Sequence, residues 1–491
     1  MNNIIKWAKP VIQTVISALL LYMLISCGLL PAKYLGIAIG AVIGLLLITY
    51  ITSRSDSFAA RSFGTALALI VCLILVFAAF YLRQIVRTLD QISGTNTEIN
   101  SIVVAVVEGN PVQNIGETAG YTFGVQENFD EEIIKSITDD IIVKNGDSEL
   151  KIIPYDSVLQ LAQALLNNEV DAVIYNNAYL SILDDALNGF STQTKIIYEK
   201  TFEYDIENIE TNSEKKHVTI ERGEGRDTVI AKDISLTEDS YTILISGIDV
   251  SGPINTTSRS DVNILMSVNP KTHKILLTTT PRDYFVVIPG VSGESRDKLT
   301  HAGIYGVRTS MRTLENLYGI DISNYIRINF DSLIQLVDTL DGVDVESEYE
   351  FDSAGFHFVR GANHLNGEQA LAFSRSRSSF EEGDNQRGKN QMMVLTAILN
   401  KLQSPALLKN PAGILDVVGR SMQTSIPTAQ ITKIISWQLD NPQKWDISRQ
   451  AVIGTGDTQQ TYSMPDTSLY VMWPDEDSVK NAAIMINKIL E

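Results

Sequence analysis

The chain has 491 residues, 20% of them charged, and a formal net charge of −19. That acidity argues against general nucleic-acid binding, which needs a basic face, and the length calls for more than one hydrophobic core. Cys27 and Cys72 are the two cysteines and both fall in apolar N-terminal stretches, so the rest of the chain has neither a disulfide framework nor a thiolate metal site.

Three uncharged, mostly apolar stretches open the chain: Val11–Leu30, Tyr34–Thr52 and Ser62–Leu82. Each matches the roughly 20 residues that cross a bilayer as a helix. Only Pro31-Ala32-Lys33 separates the first two, which predicts a tight helical hairpin. Lys6 and Lys9 precede the first span, and Arg54 and Arg61 lie between the second and third. The positive-inside bias therefore puts the N-terminus in the cytoplasm, and three spans put everything after Leu82 outside the plasma membrane. Arg83 and Arg87 oppose this, but a long translocated domain is insensitive to such charges. Leu24-Ile25-Ser26-Cys27 resembles a lipoprotein cleavage box; two further spans follow at once, so a plain membrane helix is expected. The first 82 residues carry a net +4, which leaves −23 on the remainder.

Residues 1–88 are thus read as a membrane anchor, with a polar connector over Leu89–Asn100. Strands at Val103–Val107, Lys151–Ile153 and Ala172–Ile174 alternate with helices at Glu131–Ile142 and Ser157–Leu166, the mark of a small α/β accessory domain over 98–205. Residues 164–174 look like part of a lobe of an extracellular solute-binding protein. The charged, turn-rich stretch 206–239 reads as a linker.

The domain over 240–491 opens with a strand, Tyr241–Ser246. A hairpin follows, Val262–Val268 and Lys274–Thr280, around the turn Asn269-Pro270-Lys271-Thr272. Helices are expected near Tyr305–Leu317 and Asp331–Leu340. Ala370–Arg377 reads as a strand, which would project Arg375 and Arg377 from one face. Gly383-Asp384 then opens a helix with Met392, Leu395 and Leu399 at helical spacing. Arg387 and Gln391, four apart, stack on one face of it, with Asp384 at its start. The class is α/β, with helices flanking a mixed central sheet.

Arg375, Arg377 and Arg387 converging at a helix N-terminus suit a strongly anionic ligand, a phosphate or pyrophosphate. The competing reading is surface ion pairing with Glu381, Glu382 and Asp384. Asp249 and Asp261 sit at strand–loop junctions, where two carboxylates beside a phosphate could hold magnesium, or simply form turns. Arg282, after a proline, either points at the sheet's edge or pairs with Asp283. Lys298 has solvation as its alternative. The five histidines lack metal-ligand spacing, no nucleophile elbow or nucleotide-binding glycine loop is present, and His301 reads as structural.

The ordered set Gly247-Ile248-Asp249, Ser258-Arg259-Ser260-Asp261, Pro281-Arg282-Asp283, Asp297–Ala302, Leu340–Val345, Leu365–Arg377 and Asp384–Arg387 with Gln391 resembles the LytR–CpsA–Psr (LCP) family of bacterial cell-envelope proteins. The triple span followed by an accessory domain looks like its capsule-biosynthesis, CpsA-type branch from streptococci. The resemblance implies transfer of an exported polysaccharide from a polyprenyl pyrophosphate carrier to peptidoglycan, with Mg2+ at the pyrophosphate. Carried over by motif, Asp249 and Asp261 would hold the metal. Arg282, Arg375, Arg377 and Arg387 would grip phosphates, and Lys298, Asp384 and Gln391 would complete the head site. Arg259 would orient the metal-side loop. A further basic residue that some members place four positions after Arg282 is here Val286. Two other functions compete: hydrolysis of the same pyrophosphate, and a non-catalytic membrane regulator. The short cytoplasmic face (1–10 and Ser53–Arg61) is too small for a kinase or DNA-binding module.

Overall fold

The computed structural model describes residues 2–55, 57–93, 97–127, 130–206, 235–248, 253–377, 379–380, 383–403 and 422–491. Asp249, Glu381, Glu382 and nearly all of the expected linker lie outside the described residues.

Three helices open the molecule, α1 (Asn2–Cys27), α2 (Ala32–Arg54) and α3 (Phe58–Ser93). All are long and apolar enough to cross a membrane. They pack through Leu20, Val42, Val71 and Leu75. Lys33, at the turn between α1 and α2, pairs with Asp440 at 2.8 Å, so that turn lies on the same side of the bundle as the folded domains. The polar connector expected over Leu89–Asn100 is a correction: α3 runs on to Ser93 and the next strand starts at Thr97. Leu89 and Gln91 are good helix formers, and no glycine or proline interrupts the segment before Gly94.

A five-stranded sheet follows. Its strands are β1 (Thr97–Val107), β2 (Thr122–Gln126), β3 (Lys151–Tyr155), β4 (Ala172–Asn176) and β5 (Thr194–Asp205), in spatial order β3-β2-β4-β1-β5. β2, β3 and β4 run parallel, and β1 is antiparallel to both neighbours. Side chains alternate along β1. Ile102, Val104 and Val106 meet Ile133, Ile137 and Ile141 of α4 (Glu131–Asn145). Val103 and Ala105 meet Val158, Leu161 and Leu165 of α5 (Val158–Leu166).

The six-stranded half is built on β6 (Tyr241–Ile248), β7 (Ser260–Asn269) and β8 (Lys274–Thr279), flanked by β9 (Asn324–Ile328), β10 (Met422–Thr424) and β11 (Asp446–Ala451) in the order β10-β9-β6-β7-β8-β11. The expected hairpin is β7–β8, its turn held by Asn269 accepting from the backbone N–H of Lys271 and Thr272. β9 and β11 join in parallel, so the sheet is mixed. One face packs Leu244, Leu265 and Leu276 against α6 (Val307–Tyr318) and the C-terminal helix Glu476–Leu490. The opposite face packs Ile243, Ile245 and Ile264 beneath Met392. A satellite cluster joins α7 (Phe330–Thr339), α8 (Gly367–Arg375) and α9 (Asp384–Leu402).

α8 corrects the strand expected at Ala370–Arg377. Asn366 and Gln369 form a reciprocal capping box at its start, and Ala370, Phe373 and Ser374 are buried at helical spacing. The alternation of small and large residues imitated a strand, but no β-branched side chain supports one.

The two halves are sewn together. Ile99 of β1 exchanges backbone hydrogen bonds with the 255–257 loop, donating to Asn255 and accepting from Thr257. Glu98 forms a buried ion pair with Arg327 of β9, and also accepts from the Val307 amide at the start of α6.

Candidate functional site

A β-bulge builds the corner of the site. Along β6–β7, Gly247 faces Val262 and Ile248 faces Ser260, leaving Asp261 as the extra residue. A bulge re-aims its side chain, and Asp261 lines a cavity of about 410 Å³. Its carboxylate accepts from Thr300 Oγ1 at 2.9 Å and from Arg282 Nη1 at 2.8 Å. Thr300 lies in the 3₁₀ segment Leu299–Tyr305, which presses on the bulge: a Cβ at Gly303 would come within 2.5 Å of the Ser258 carbonyl oxygen.

Five arginines line this cavity, Arg259, Arg282, Arg375, Arg377 and Arg387, with Gln391, Asp261 and Asp185. Arg375 is the last residue of α8 and Arg377 follows it after an extended Ser376, so they leave a helix end rather than one strand face. They reach the same cavity nonetheless. Arg375 also lies over the Phe330 ring, 4.3 Å from its centre. Arg387 and Gln391 share the inner face of α9, as their spacing predicts. The Nε donors of Arg259 and Arg282 are buried with no hydrogen-bond partner among the described residues. Buried donors of this kind call for an acceptor.

Two candidates fall elsewhere. Lys298 is bound to Asp283 and is not among the residues lining this cavity. Asp384 pairs with Arg387 and borders a smaller adjoining recess with Asp261, Arg282 and Gln391. Arg282 satisfies both earlier readings in part, since its Nε also stands 3.7 Å from Asp283. Val286 is buried in the core and offers no contact here. His301 is buried against Asp297 (2.6 Å) and Ser463 (2.8 Å).

Electrostatics follow the geometry. Burial pushes the Asp261 carboxyl up, but Arg282, Arg259 and Arg387 outweigh it and hold its pKa below the usual value. Burial raises Asp384 against the pull of Arg387, and Asp283 adds to the rise. For a metal, Asp261 is a suitable hard oxygen ligand already aimed at the cavity. Asp249, which follows β6 directly, lies outside the described residues, and no cluster of three ligating side chains occurs among those described. Magnesium commonly takes one or two carboxylates plus substrate phosphate oxygens, and Asp261 fits that pattern.

An apolar cleft opens from the same wall. Ile245, Ile248, Ile264 and Ile328 of the sheet face Leu371, Val394, Leu395 and Ile398 of α8 and α9. Val262, Phe330, Arg375 and Gln391 border both spaces.

The sequence did not reveal Asp185, which comes from the five-stranded half, on the short helix Leu180–Ala186, and pairs with Arg259 at 2.9 Å. Nor did it reveal Phe330 beneath Arg375. Neither contact has a local signature.

Fold and site together define a protein with three membrane-type helices and an arginine-rich anion site at the edge of a mixed α/β sheet. A family model, the LytR_cpsA_psr family, matches residues 204–477, more than half of the chain, and the chain belongs to that family. It is 33% identical over 207 residues to a protein of Oceanobacillus iheyensis named polyisoprenyl-teichoic acid–peptidoglycan teichoic acid transferase TagU, covering 40% of this chain and 63% of that relative. A protein of the same name from Halalkalibacterium halodurans is 34% identical over 221 residues, covering 44% and 71%. The chain thus spans a little under two thirds of the first relative and somewhat more of the second. Among solved structures, Bacillus subtilis TagU is 26% identical with a TM-score of 0.41, covering 52% of this chain and 98% of that one. A structure described as TagT bound to LI-WTA is 25% identical with a TM-score of 0.42, covering 56% and 99%.

Proposed function

We propose that the protein is a membrane-anchored phosphotransferase that moves an exported glycopolymer from a polyprenyl pyrophosphate carrier to a peptidoglycan hydroxyl. A CpsA-type role, with capsular polysaccharide as cargo, is the form the membrane anchor and the added α/β unit favour. The folded domains would lie on the extracellular side, where both substrates are. The observation that carries this reading is the shared wall between an arginine-lined cavity and an apolar cleft. That pairing suits a ligand with a doubly charged head and a hydrocarbon tail.

Arg259, Arg282, Arg375, Arg377 and Arg387 bind the pyrophosphate oxygens and neutralise the charge that grows on the departing phosphate. The acceptor oxygen bonds to the glycan-bearing phosphorus and the bridging P–O bond breaks. Polyprenyl phosphate leaves, and the hydroxyl proton passes to solvent. Positioning and charge neutralisation supply most of the rate in such transfers. Magnesium, held by Asp261 with phosphate oxygens and with Asp249 as the family pattern implies, would add Lewis-acid neutralisation at the same phosphates.

Mass spectrometry of the purified full-length protein tests the lipid, and a transfer assay with a polyprenyl-pyrophosphate donor tests the reaction. A phosphodiester-linked product is expected; free phosphate without linkage would identify hydrolysis. Asp261→Ala is expected to abolish the magnesium dependence with most of the activity while keeping some lipid binding. Retention of magnesium-stimulated transfer by that variant would remove Asp261 from the metal site.

A further inference from the structure

A second cavity, of about 870 Å³, lies elsewhere, between the five-stranded sheet and the six-stranded half. It sits where the parallel strands β2, β3 and β4 end. Gln126 is the last residue of β2, Asp156 follows β3 directly, and Asn176 is the last residue of β4; all three line it. Crevices beyond the carboxyl ends of parallel strands are where open α/β sheets bind ligands. The six-stranded half supplies the other wall, with Thr257, Tyr305 and the loop from Gln460 to Pro465.

The lining is specific in its chemistry. Tyr204, Tyr305 and Tyr462 present amphipathic rings, with Tyr179 buried behind and bonded to the Tyr305 hydroxyl. Gln126 and Gln460 present amides, whereas Asn100 and Asn176 already accept from Thr257 and from the Ala178 amide. The two helix N-termini here, which would ordinarily attract an anion, are already capped, one by a carboxylate and one by a hydroxyl. Asp130 accepts from the amides of Glu132 and Ile133 at the start of α4. Ser157 Oγ accepts from the Gln160 backbone amide at the start of α5 and donates to Asp466, which also accepts from the Gln160 side chain. Glu98 is committed to Arg327. Arg296 is committed to the Phe285 carbonyl and lies over the Trp473 ring. Asp156 is exposed and adds a further negative charge. An anionic ligand would meet the exposed carboxylates of Asp130 and Asp156.

We infer that this cleft binds an uncharged, amide-bearing oligosaccharide through tyrosine faces, hydrogen bonds donated by Gln126, Gln460 and Tyr462, and acceptance by the Asp156 carboxylate. The inference deepens the transferase reading: the cleft would hold a sugar segment of one of the two glycans joined at the arginine site. One loop links the two sites, with Thr257 on the cleft and Arg259 and Asp261 on the phosphate cavity. The 3₁₀ segment does the same, Tyr305 lining the cleft while Thr300 holds Asp261.

The test uses the full-length protein in lipid nanodiscs. Binding is measured by calorimetry and saturation-transfer NMR with chitotetraose, with peptidoglycan disaccharide-peptide fragments whose carboxyls are amidated, with uncharged oligosaccharides cut from the bacterium's own wall-linked polysaccharide, and with a glycerol phosphate oligomer. At least one neutral glycan should bind, and which one does assigns the cleft to acceptor or cargo. Asp156→Ala and Tyr462→Phe should each weaken it about tenfold, the loss of one or two hydrogen bonds. Polyprenyl phosphate binding should stay unchanged, and in the transfer assay the KM for that glycan should rise while kcat holds. Absence of glycan binding, binding by both variants as tight as the parent's, or tighter binding of the glycerol phosphate oligomer would overturn the inference. Glycan binding without polyprenyl phosphate binding would instead sink the transferase reading and leave the cleft standing.

Discussion

The arginine cavity and the interdomain cleft share a loop, Thr257–Asp261, yet are furnished in opposite ways. Five arginines face the first against Asp185 and Asp261, and two of their Nε donors are buried without a hydrogen-bond partner among the described residues. The second is lined by tyrosines, amides and carboxylates, and the helix N-termini beside it are capped by Asp130 and Ser157. The difference teaches that a cavity's unspent groups, more than its size, define its ligand. The smaller space has unspent donors and calls for an anion. The larger has neutral hydrogen-bonding groups and repels one.

The comparison breaks first at the seam. Glu98→Ala would leave Arg327 buried and unpaired, at an expected cost of about 3–5 kcal/mol. Chemical denaturation should show it, and Glu98→Gln should cost less. Unchanged stability in Glu98→Ala would mean that the halves are not joined there. Next come Arg375→Ala and Arg377→Ala, each expected to lower transfer on the order of 10- to 100-fold through the loss of charge-assisted bonds. Both side chains are exposed, so melting temperature should hardly move. Lysine should rescue only in part, because a point charge lacks the planar fork. Full activity in Arg375→Ala would return the cluster to ordinary surface ion pairing.

pH offers a subtler probe. Burial raises Asp384, so the native state holds its proton more tightly than the unfolded chain does, and this contribution to stability fades as pH rises through the raised pKa. Asp261 is depressed, so its contribution is present above the unfolded carboxylate range and is lost on acidification through the lowered pKa. The stability of Asp384→Asn relative to the parent should therefore climb between about pH 4 and 7, whereas that of Asp261→Asn should fall between about pH 2 and 5 and level off above that. Parallel trends in denaturant titrations across this range would contradict the assignment. The smallest effect is expected from Asp185→Ala. Removing an exposed carboxylate from Arg259 should tighten polyprenyl phosphate binding a few-fold at low salt and hardly at all at high salt. Weaker binding would make Asp185 a positioning residue instead.

Much of this was legible because periodicity and punctuation are local. The three spans, the β7–β8 hairpin and the shared face of Arg387 and Gln391 follow from spacing alone. α8 was misread because alternating small and large residues outweighed the Asn366–Gln369 capping signal. Asp185 beside Arg259 and Glu98 beside Arg327 were out of reach, since 74 and 229 residues separate the partners. Asp261 could be singled out, but the bulge that turns it inward is a property of strand register. The pairing of Lys298 with Asp283 was out of reach for a related reason, since only the fold brings the two together.

α3 has one more consequence. At 36 residues and 1.5 Å per residue it is about 54 Å long, well beyond a hydrocarbon core of about 30 Å. Ile431, on the helix Thr428–Asp440, packs with both the membrane cluster and the cluster that contains Met392 of α9. With these helices in a bilayer, the protein would stand on it as a fixed post rather than a tethered float. A lipid-borne substrate would reach it by sideways diffusion in the leaflet, so encounter frequency would scale with donor density per unit area and not with bulk concentration.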